Sequence, residues 1–158
     1  MKAQCGPVWG LIFTLSVLGT VTQAEEIMDA NCVHSTTSFR CVEFDRNHDG
    51  DTLTVNIPGV HPLIGDRIEV RVDGIDTAEI ITDDLCEKRM AEKARDFLKE
   101  LLTNARRIDL LSVGRDKYFR ILADVRADGE SVKDRMLRSR LAVPYDGGTK
   151  AKVDWCHR

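Results

Sequence analysis

The chain has 158 residues, 42% of them hydrophobic and 31% charged, and its formal net charge at pH 7 is −3. These proportions fit an ordinary globular protein and exclude collagen-like, low-complexity, strongly disordered and multidomain chains. Residues 25–84 carry 4 basic and 14 acidic side chains, whereas residues 85–158 carry 18 and 12. An acidic half that can hold a cation therefore adjoins a basic half that can hold an anion, although solvated surface charge fits the same counts.

Residues 1–24 are typical of a secretory signal peptide. Lys2 precedes the apolar run Val8–Leu18, and small and polar residues then lead to Ala24. The run is shorter than a typical membrane-spanning helix, and no later segment reaches the roughly 18 apolar residues that such a helix needs. We predict cleavage near Ala24 and a secreted or periplasmic mature chain, residues 25–158. An uncleaved anchor is the alternative.

Four cysteines follow the predicted cleavage point: Cys32, Cys41, Cys86 and Cys156. An even number of cysteines in a chain destined for an oxidising compartment predicts disulfides. Their spacing favours a Cys32–Cys41 pair and a Cys86–Cys156 pair that ties a cysteine-containing carboxyl-terminal tail to the domain. The other pairings remain open, as does a zinc site, although the chain has no C-x-x-C pair.

Hydrophobic periodicity predicts five strands and two helices. The strands are expected at Ser38–Phe44, Thr52–Ile57, Arg67–Asp73, Ile108–Val113 and Tyr118–Val125. One helix is expected from Asp84 to about Asn104, and a shorter one from Ser131. This order indicates an α+β domain in which helices cap a small twisted sheet or barrel.

Carboxylates are grouped at two predicted turns. Asp49 and Asp51 flank a glycine between the first and second predicted strands, and Asp76 and Glu79 follow the strand that carries Arg71. Hard oxygen ligands of this kind suit Ca²⁺ or Mg²⁺. Each group, taken alone, also fits an ordinary turn, a loop cap or a surface ion pair.

A third group of functional side chains lies in the segment from Asp116 to Arg120. On the predicted strand, Tyr118 and Arg120 share one face, where a phenol and a guanidinium can hold the same anion. The same alternation assigns Phe119 to the hydrophobic core, together with Ile121.

The order and spacing of these segments resemble the thermonuclease (staphylococcal nuclease-like) family. The matching segments are Asp49-Gly-Asp-Thr52, Arg71 before Asp76-Thr-Ala-Glu79, Asp116-Lys-Tyr-Phe-Arg120 and Leu141-Ala142. The resemblance runs from about residue 39 to residue 148, the expected core of a domain at 25–158. It implies an OB-fold, a five-stranded β-barrel capped by helices. Two residues depart from the family pattern, since Ala78 stands for its usual proline and Phe119 for its usual glycine.

The resemblance also implies a site that binds one Ca²⁺ ion. Asp51, Asp76 and the backbone carbonyl of Thr77 would bind the ion, and Asp49 would stabilise these ligands without contacting the ion itself. Glu79 matches the residue that orients or deprotonates the attacking water.

The remaining matched residues are implied to bind nucleic acid. Arg71 and Arg120 would hold the reacting phosphate, and Lys117 and Tyr118 a neighbouring phosphate. Tyr145 falls near a family tyrosine that packs on substrate, one residue out of alignment.

The resemblance thus implies a Ca²⁺-dependent endonuclease that cleaves DNA and RNA with little sequence demand and leaves 3′-phosphate ends. We infer no obligate protein partner and expect a monomer. A catalytically silent OB-fold module that binds single-stranded nucleic acid or another anion is the alternative. A calcium-stabilised structural domain has no positive sign in the sequence.

Overall fold

The computed structural model describes residues 32–157, so the predicted signal peptide, residues 1–24, lies outside the described residues. The elements are, in chain order, β1 (Ser38–Phe39), β2 (Glu43–Asn47), β3 (Thr52–Asn56), α1 (Pro62–Gly65), β4 (Ile68–Val72), β5 (Ile75–Asp76), α2 (Leu85–Thr103), β6 (Ile108–Arg115), β7 (Ile121–Ala127), β8 (Glu130–Ser131), α3 (Val132–Arg138), β9 (Val143–Pro144) and a 3₁₀ helix at Trp155–His157.

The main sheet has seven strands, six of them in the order β1-β6-β7-β4-β3-β2 and β8 paired with β7. Its pairs are antiparallel except for the parallel pair β4–β7. Short β5 and β9 form a separate two-stranded sheet. The predicted α+β, OB-fold-like arrangement is confirmed. Among the described strands, however, the sheet stays open between β1 and β2, so it does not form the expected closed barrel of five strands.

The core lies between the sheet and helix α2. Asp84 caps the helix by accepting hydrogen bonds from the backbone N–H groups of Cys86 and Glu87. Its apolar face buries Leu98 and Leu102 against the sheet. Full burial of each leucine contributes on the order of 2 kcal/mol, so this face fixes the helix across the sheet.

The predicted strand and turn boundaries were wrong in two places. The strand expected at Ser38–Phe44 is interrupted because Cys41 has a φ of 53°, which breaks the extended backbone. The strand expected from Tyr118 begins only at Ile121, since β6 runs on to Arg115 and the reversal follows it.

Phe119 is therefore not in the core, and its assignment there was wrong. The residue lies in the turn before β7, with a φ of 64° and 81% of its surface exposed. Strand alternation cannot be extended through a turn, which is why the pattern failed here. Because glycine adopts a positive φ readily, this backbone conformation also accounts for the glycine usual at this position in the family.

The cysteines that the spacing favoured lie together in the structure. The Cα atoms are 5.3 Å apart in the pair Cys32–Cys41 and 5.7 Å apart in the pair Cys86–Cys156, both within disulfide range. The second pair holds the carboxyl-terminal tail against the start of α2. Within residues 32–157 we find no helix with the length and apolar character needed to cross a membrane.

Candidate active site

Three neighbouring strands, β3, β4 and β7, bring the predicted site residues together at one end of the strands. Because β3 and β4 are antiparallel, the start of β3 meets the end of β4, and Thr52 is the cross-strand partner of Arg71. The parallel pairing of β4 with β7 places Leu122 beside Arg71 on the other side. Asp51 and Arg120, which immediately precede β3 and β7, therefore converge on the same place.

Asp51 is buried and holds the loop that follows β5. Its Oδ2 accepts hydrogen bonds from the backbone N–H of Thr77 at 3.0 Å and from the Thr77 hydroxyl at 3.1 Å. Oδ1 of Asp49 in turn accepts from the N–H groups of Asp51 and Thr52. Asp49 therefore shapes the turn behind Asp51, which is consistent with the supporting position expected for it.

Arg71 lies between the two carboxylates predicted to bind metal. Its Nη1 contacts Oδ1 of Asp51, and its Nη2 lies 3.0 Å from Oδ1 of Asp76 and 3.1 Å from the carbonyl oxygen of Ile75. All three charged side chains are about nine-tenths buried or more. The surface ion pair that the sequence left open for Arg71, with an acid such as Glu69, is not among its contacts in residues 32–157. Both carboxylates thus face one positive charge.

Arg120 reaches the same cluster from the turn before β7. Its Nη1 lies 3.5 Å from the hydroxyl of Thr52, which itself donates to Asp51 at 3.2 Å. Oδ2 of Asp116 accepts from Nε of Arg120 at 2.8 Å. The predicted strand at this point is absent, yet Arg120 and Tyr118 are still neighbours, because the guanidinium carbon lies 5.4 Å from the centre of the ring.

Asp116 organises this turn. Its Oδ1 accepts from the backbone N–H groups of Tyr118 at 2.8 Å and Arg120 at 3.0 Å. Burial raises the pKa of Asp116, but hydrogen bonds from Arg120 and the backbone outweigh this effect and hold the pKa below its usual value. The carboxylate is therefore charged where it positions Arg120.

Glu79 is far more exposed than Asp51, Arg71 and Asp76, with 59% of its side chain accessible. Lys150 contacts its carboxylate and also lies 2.9 Å from Oδ1 of Asp76. Burial lowers the pKa of Lys150, but the hydrogen bonds to Glu79 and Asp76 outweigh it and raise the pKa. The water-binding carboxylate expected from the resemblance is thus tethered to a lysine.

The expected substrate-binding residues line one cavity of about 720 Å³ together with Asp49, Asp51, Glu79, Arg71 and Arg120. The ammonium of Lys117 lies 5.4 Å from the centre of the Tyr118 ring. Tyr145 also lines this cavity, but its hydroxyl donates to the carbonyl of Gly148 at 2.7 Å. Tyr145 therefore supports its own loop from the rim of the cavity.

The donor set fits a hard divalent cation. Oxygens of Asp51 and Asp76 already converge on a guanidinium, and such oxygens are the ligands that Ca²⁺ and Mg²⁺ prefer. In the part of the chain described, no three Asp, Glu, His or Cys side chains gather as a metal-binding group. Two carboxylates would therefore need the Thr77 carbonyl and water to complete the ligand shell.

Sequence reasoning did not single out Asp116, Thr52 or Lys150 as parts of the cluster. Asp116 was seen only as part of a motif, and its spacing of four residues from Arg120 was the available signal. Thr52 lay within the Asp-Gly-Asp-Thr motif. Nothing local indicated Lys150, which meets Glu79 across 71 positions of chain.

Residues 69–154 match the family described as staphylococcal nuclease homologue. The SPbeta prophage-derived endonuclease YokF of Bacillus subtilis (strain 168) is 35% identical over 114 residues, which cover 69% of this chain and 36% of that protein. Endonuclease YncB of the same strain is 34% identical over 114 residues, covering 69% of this chain and 51% of that protein. The match thus spans about half or less of each relative. The family match includes six charged residues of the cluster: Arg71, Asp76, Glu79, Asp116, Arg120 and Lys150. The chain belongs to the staphylococcal nuclease homologue family.

Proposed function

We propose that this protein is a Ca²⁺-dependent endonuclease that hydrolyses phosphodiester bonds of DNA and RNA with little sequence specificity. The observation that carries the proposal is the convergence of Asp51 and Asp76 on Arg71, beside a cavity that Asp51, Arg71, Arg120 and Glu79 line. A cation site beside two guanidinium groups suits a phosphodiester, which presents both negative charge and oxygen ligands.

The acidic part of the cluster is proposed to hold one Ca²⁺ ion through Asp51, Asp76 and the carbonyl of Thr77. When bound, the ion supplies Lewis-acid polarisation of a phosphodiester oxygen. Asp51 fixes Thr77 through two hydrogen bonds, so the proposed carboxylate and carbonyl ligands are held relative to each other. Asp49 stabilises the turn that presents Asp51.

Arg71 and Arg120 are proposed to hold the non-bridging oxygens of the reacting phosphate. Arg120 is fixed by Asp116 on one side and by Thr52 on the other, so its guanidinium is oriented before substrate arrives. Preorganised donors of this kind stabilise charge that develops in the transition state without further reorganisation. Lys117 and Tyr118, at the same end of the turn, would contact a neighbouring phosphate.

Glu79 is proposed to orient the attacking water and accept its proton. Its carboxylate lies at the accessible side of the cavity, where water can approach, and Lys150 restricts its position. Cleavage on the 5′-oxygen side of the phosphorus would leave 3′-phosphate ends.

We further propose that residues 25–158 form a secreted or periplasmic domain with its core at about 39–148, released by cleavage near Ala24. The disulfide-range cysteine pairs support an oxidising compartment.

The test is cleavage of DNA and RNA by the purified chain in Ca²⁺ and in a chelator. Glu79→Gln and Arg120→Ala should each lower kcat by about 100-fold or more, since one transition-state donor or proton acceptor commonly contributes this much. The ends should resist extension by a polymerase until a phosphatase removes the 3′-phosphate.

Two variants outside the cavity serve as matched controls. Arg126→Ala removes an arginine of β7 that pairs with Asp124, and Glu130→Gln removes an exposed carboxylate that pairs with Arg135. Both should cleave at the wild-type rate. Equal slow degradation by the wild type, Glu79→Gln and Arg120→Ala would refute the proposal, and binding without cleavage would favour the silent module.

A further inference from the structure

Phe119 has an exposed aromatic ring on a strained backbone. Its φ of 64° lies in the left-handed region, where bulky residues are genuine outliers, and 81% of its surface is accessible. A buried ring can compensate for an unfavourable backbone by packing, but an exposed ring cannot. Within residues 32–157, packing therefore does not explain why a phenylalanine occupies this position.

The backbone around Phe119 is held tightly while its ring is left free. The N–H of Phe119 donates to the carbonyl oxygen of Asp116 at 3.1 Å, and its own carbonyl accepts from Nη1 of Arg115. Asp116 also binds the N–H groups on both sides of Phe119, those of Tyr118 and Arg120. The turn thus fixes the backbone of Phe119 between Tyr118 and Arg120, which both line the cavity, and leaves the ring of Phe119 exposed.

The turn that carries Phe119 also carries several cations. Lys117 and Arg120 both lie over the Tyr118 ring, and Arg115 holds the carbonyl of Phe119. Grooves that bind single-stranded nucleic acid combine such cations, which follow the phosphates, with exposed aromatic rings on which bases stack. A base in a duplex is already stacked on its neighbours, so only an unpaired base is open to such a ring.

We propose that Phe119 is a stacking platform for an unpaired nucleobase adjacent to the phosphate bound at Arg120. The inference rests on the proposed nuclease function and adds a residue that contacts substrate outside the cavity. Phe119 would then contribute part of the affinity for single-stranded nucleic acid, and this contribution would disappear when the base is absent or paired.

The test compares Phe119→Gly with Phe119→Trp, both in a Glu79→Gln background so that the ligand is not cut. Binding of a labelled short oligothymidylate, a base-free deoxyribose phosphate chain and a hairpin duplex is followed by fluorescence anisotropy in Ca²⁺. Phe119→Gly should raise the Kd for oligothymidylate about tenfold, the usual contribution of one stacked base, and leave the other two unchanged. Phe119→Trp should retain wild-type binding.

Stability separates stacking from a structural role. Glycine relieves the positive φ, so Phe119→Gly should raise Tm while it weakens binding. Arg140→Gly, at another exposed residue with positive φ (57°), is the control for strain relief, and it should leave the dependence on the base intact. A lower Tm with equal weakening for all three ligands would overturn the inference, as would an unchanged Kd for oligothymidylate.

The outcome also distinguishes this inference from the nuclease proposal. If the unmodified protein cleaves DNA and Phe119→Gly binds oligothymidylate normally, only the stacking platform is refuted. If the base-dependent loss of binding is found but the unmodified protein cleaves neither DNA nor RNA, the nuclease proposal fails and the platform stands.

Discussion

Lys150 and Asp76 form an ion pair in which the ammonium nitrogen lies 2.9 Å from Oδ1 of the carboxylate. The same ammonium contacts Glu79, so one lysine bridges the proposed metal-binding and water-binding carboxylates. The side chain of Lys150 is 47% exposed, whereas that of Asp76 is 10% exposed. A Ca²⁺ ion from solution can therefore compete with the exposed Lys150 ammonium for the Asp76 carboxylate.

Replacing Lys150 by methionine should strengthen Ca²⁺ binding, because the variant removes a positive charge that competes for Asp76. A partly exposed ion pair contributes up to about 1 kcal/mol, so the Kd for Ca²⁺ should fall by up to roughly fivefold. Isothermal titration calorimetry measures the change directly, without an activity assay.

Lys152→Met is the matched control for Lys150→Met. It removes the same charge from an exposed position two residues further along the tail. Its Kd should stay near the wild-type value. Weaker Ca²⁺ binding in Lys150→Met alone would mean that the lysine supports Asp76 instead of competing for it.

Gly50→Ala should destabilise the fold and the site together. A Cβ atom added at Gly50 would lie 2.6 Å from Cβ of Ala94 and 2.9 Å from Cγ2 of Thr77. Overpacking of this kind typically costs about 1–3 kcal/mol. Because Thr77 is held by Asp51, we expect weaker Ca²⁺ binding as well. Urea denaturation and calorimetry measure the two effects, and Gly114→Ala, where the added atom meets nothing within 4 Å, should change neither. Wild-type stability in Gly50→Ala would contradict the close packing.

Which residues meet beside the cavity could be predicted from local motifs, because each motif lies at one end of a strand. Periodicity located β3 and β4, and the pairing of their ends brings Asp51 to Arg71. The segment before β7 shows the limit of this reasoning. Side-chain alternation assumed an extended chain through Phe119, but the hydrogen bonds of Asp116 reverse the backbone there. Contacts made by the side chain of a turn residue leave no periodic signal.

The part that Lys150 plays could not be predicted because it depends on the path of the tail. Trp155 packs with Ala78 and Ala91, and Cys156 lies at disulfide distance from Cys86. These contacts join residues far apart in sequence, so neither spacing nor composition indicates which lysine reaches Glu79. The alanine at position 78 is also explained only by the structure, since its side chain is buried against Ala91 and Trp155.

Asp109 should make the fold sensitive to acid. Burial raises its pKa, but the N–H of Cys41 and the guanidinium groups of Arg107 and Arg40 outweigh burial and hold the pKa below its usual value. Since the folded-state pKa lies below the unfolded value of about 3.9, the stabilisation is present above that pH and is lost as the pH falls through the folded value.

Asp109→Asn should therefore lower the free energy of unfolding by about 2 kcal/mol at pH 7 and reduce the loss of stability below about pH 4. Urea denaturation over this pH range measures both effects. Asp66→Asn, at an exposed position, should match the wild type at every pH. Equal acid sensitivity in Asp109→Asn and the wild type would contradict this assignment.

The two cysteine pairs should differ in what they stabilise. The Cys86–Cys156 pair closes 70 positions of chain and the Cys32–Cys41 pair closes 9. In the loop-entropy model, losing the first by serine replacement of both cysteines costs about 4 kcal/mol, and losing the second about 2.5 kcal/mol. Denaturation in guanidinium chloride measures each loss, and equal losses would contradict the loop-length argument.

Loss of the Cys86–Cys156 pair should also change Ca²⁺ binding at the candidate active site. Without the Cys86–Cys156 pair, the tail keeps the packing of Trp155 but loses its covalent link to α2, so Lys150 should spend less time between Asp76 and Glu79. Calorimetry should then find tighter Ca²⁺ binding, in the same direction as Lys150→Met, in the serine variant that still folds. Loss of the Cys32–Cys41 pair should leave Ca²⁺ binding unchanged, because neither cysteine lines the cavity. Combining the tail variant with Lys150→Met should add no further gain in affinity, since both changes remove the same competing charge.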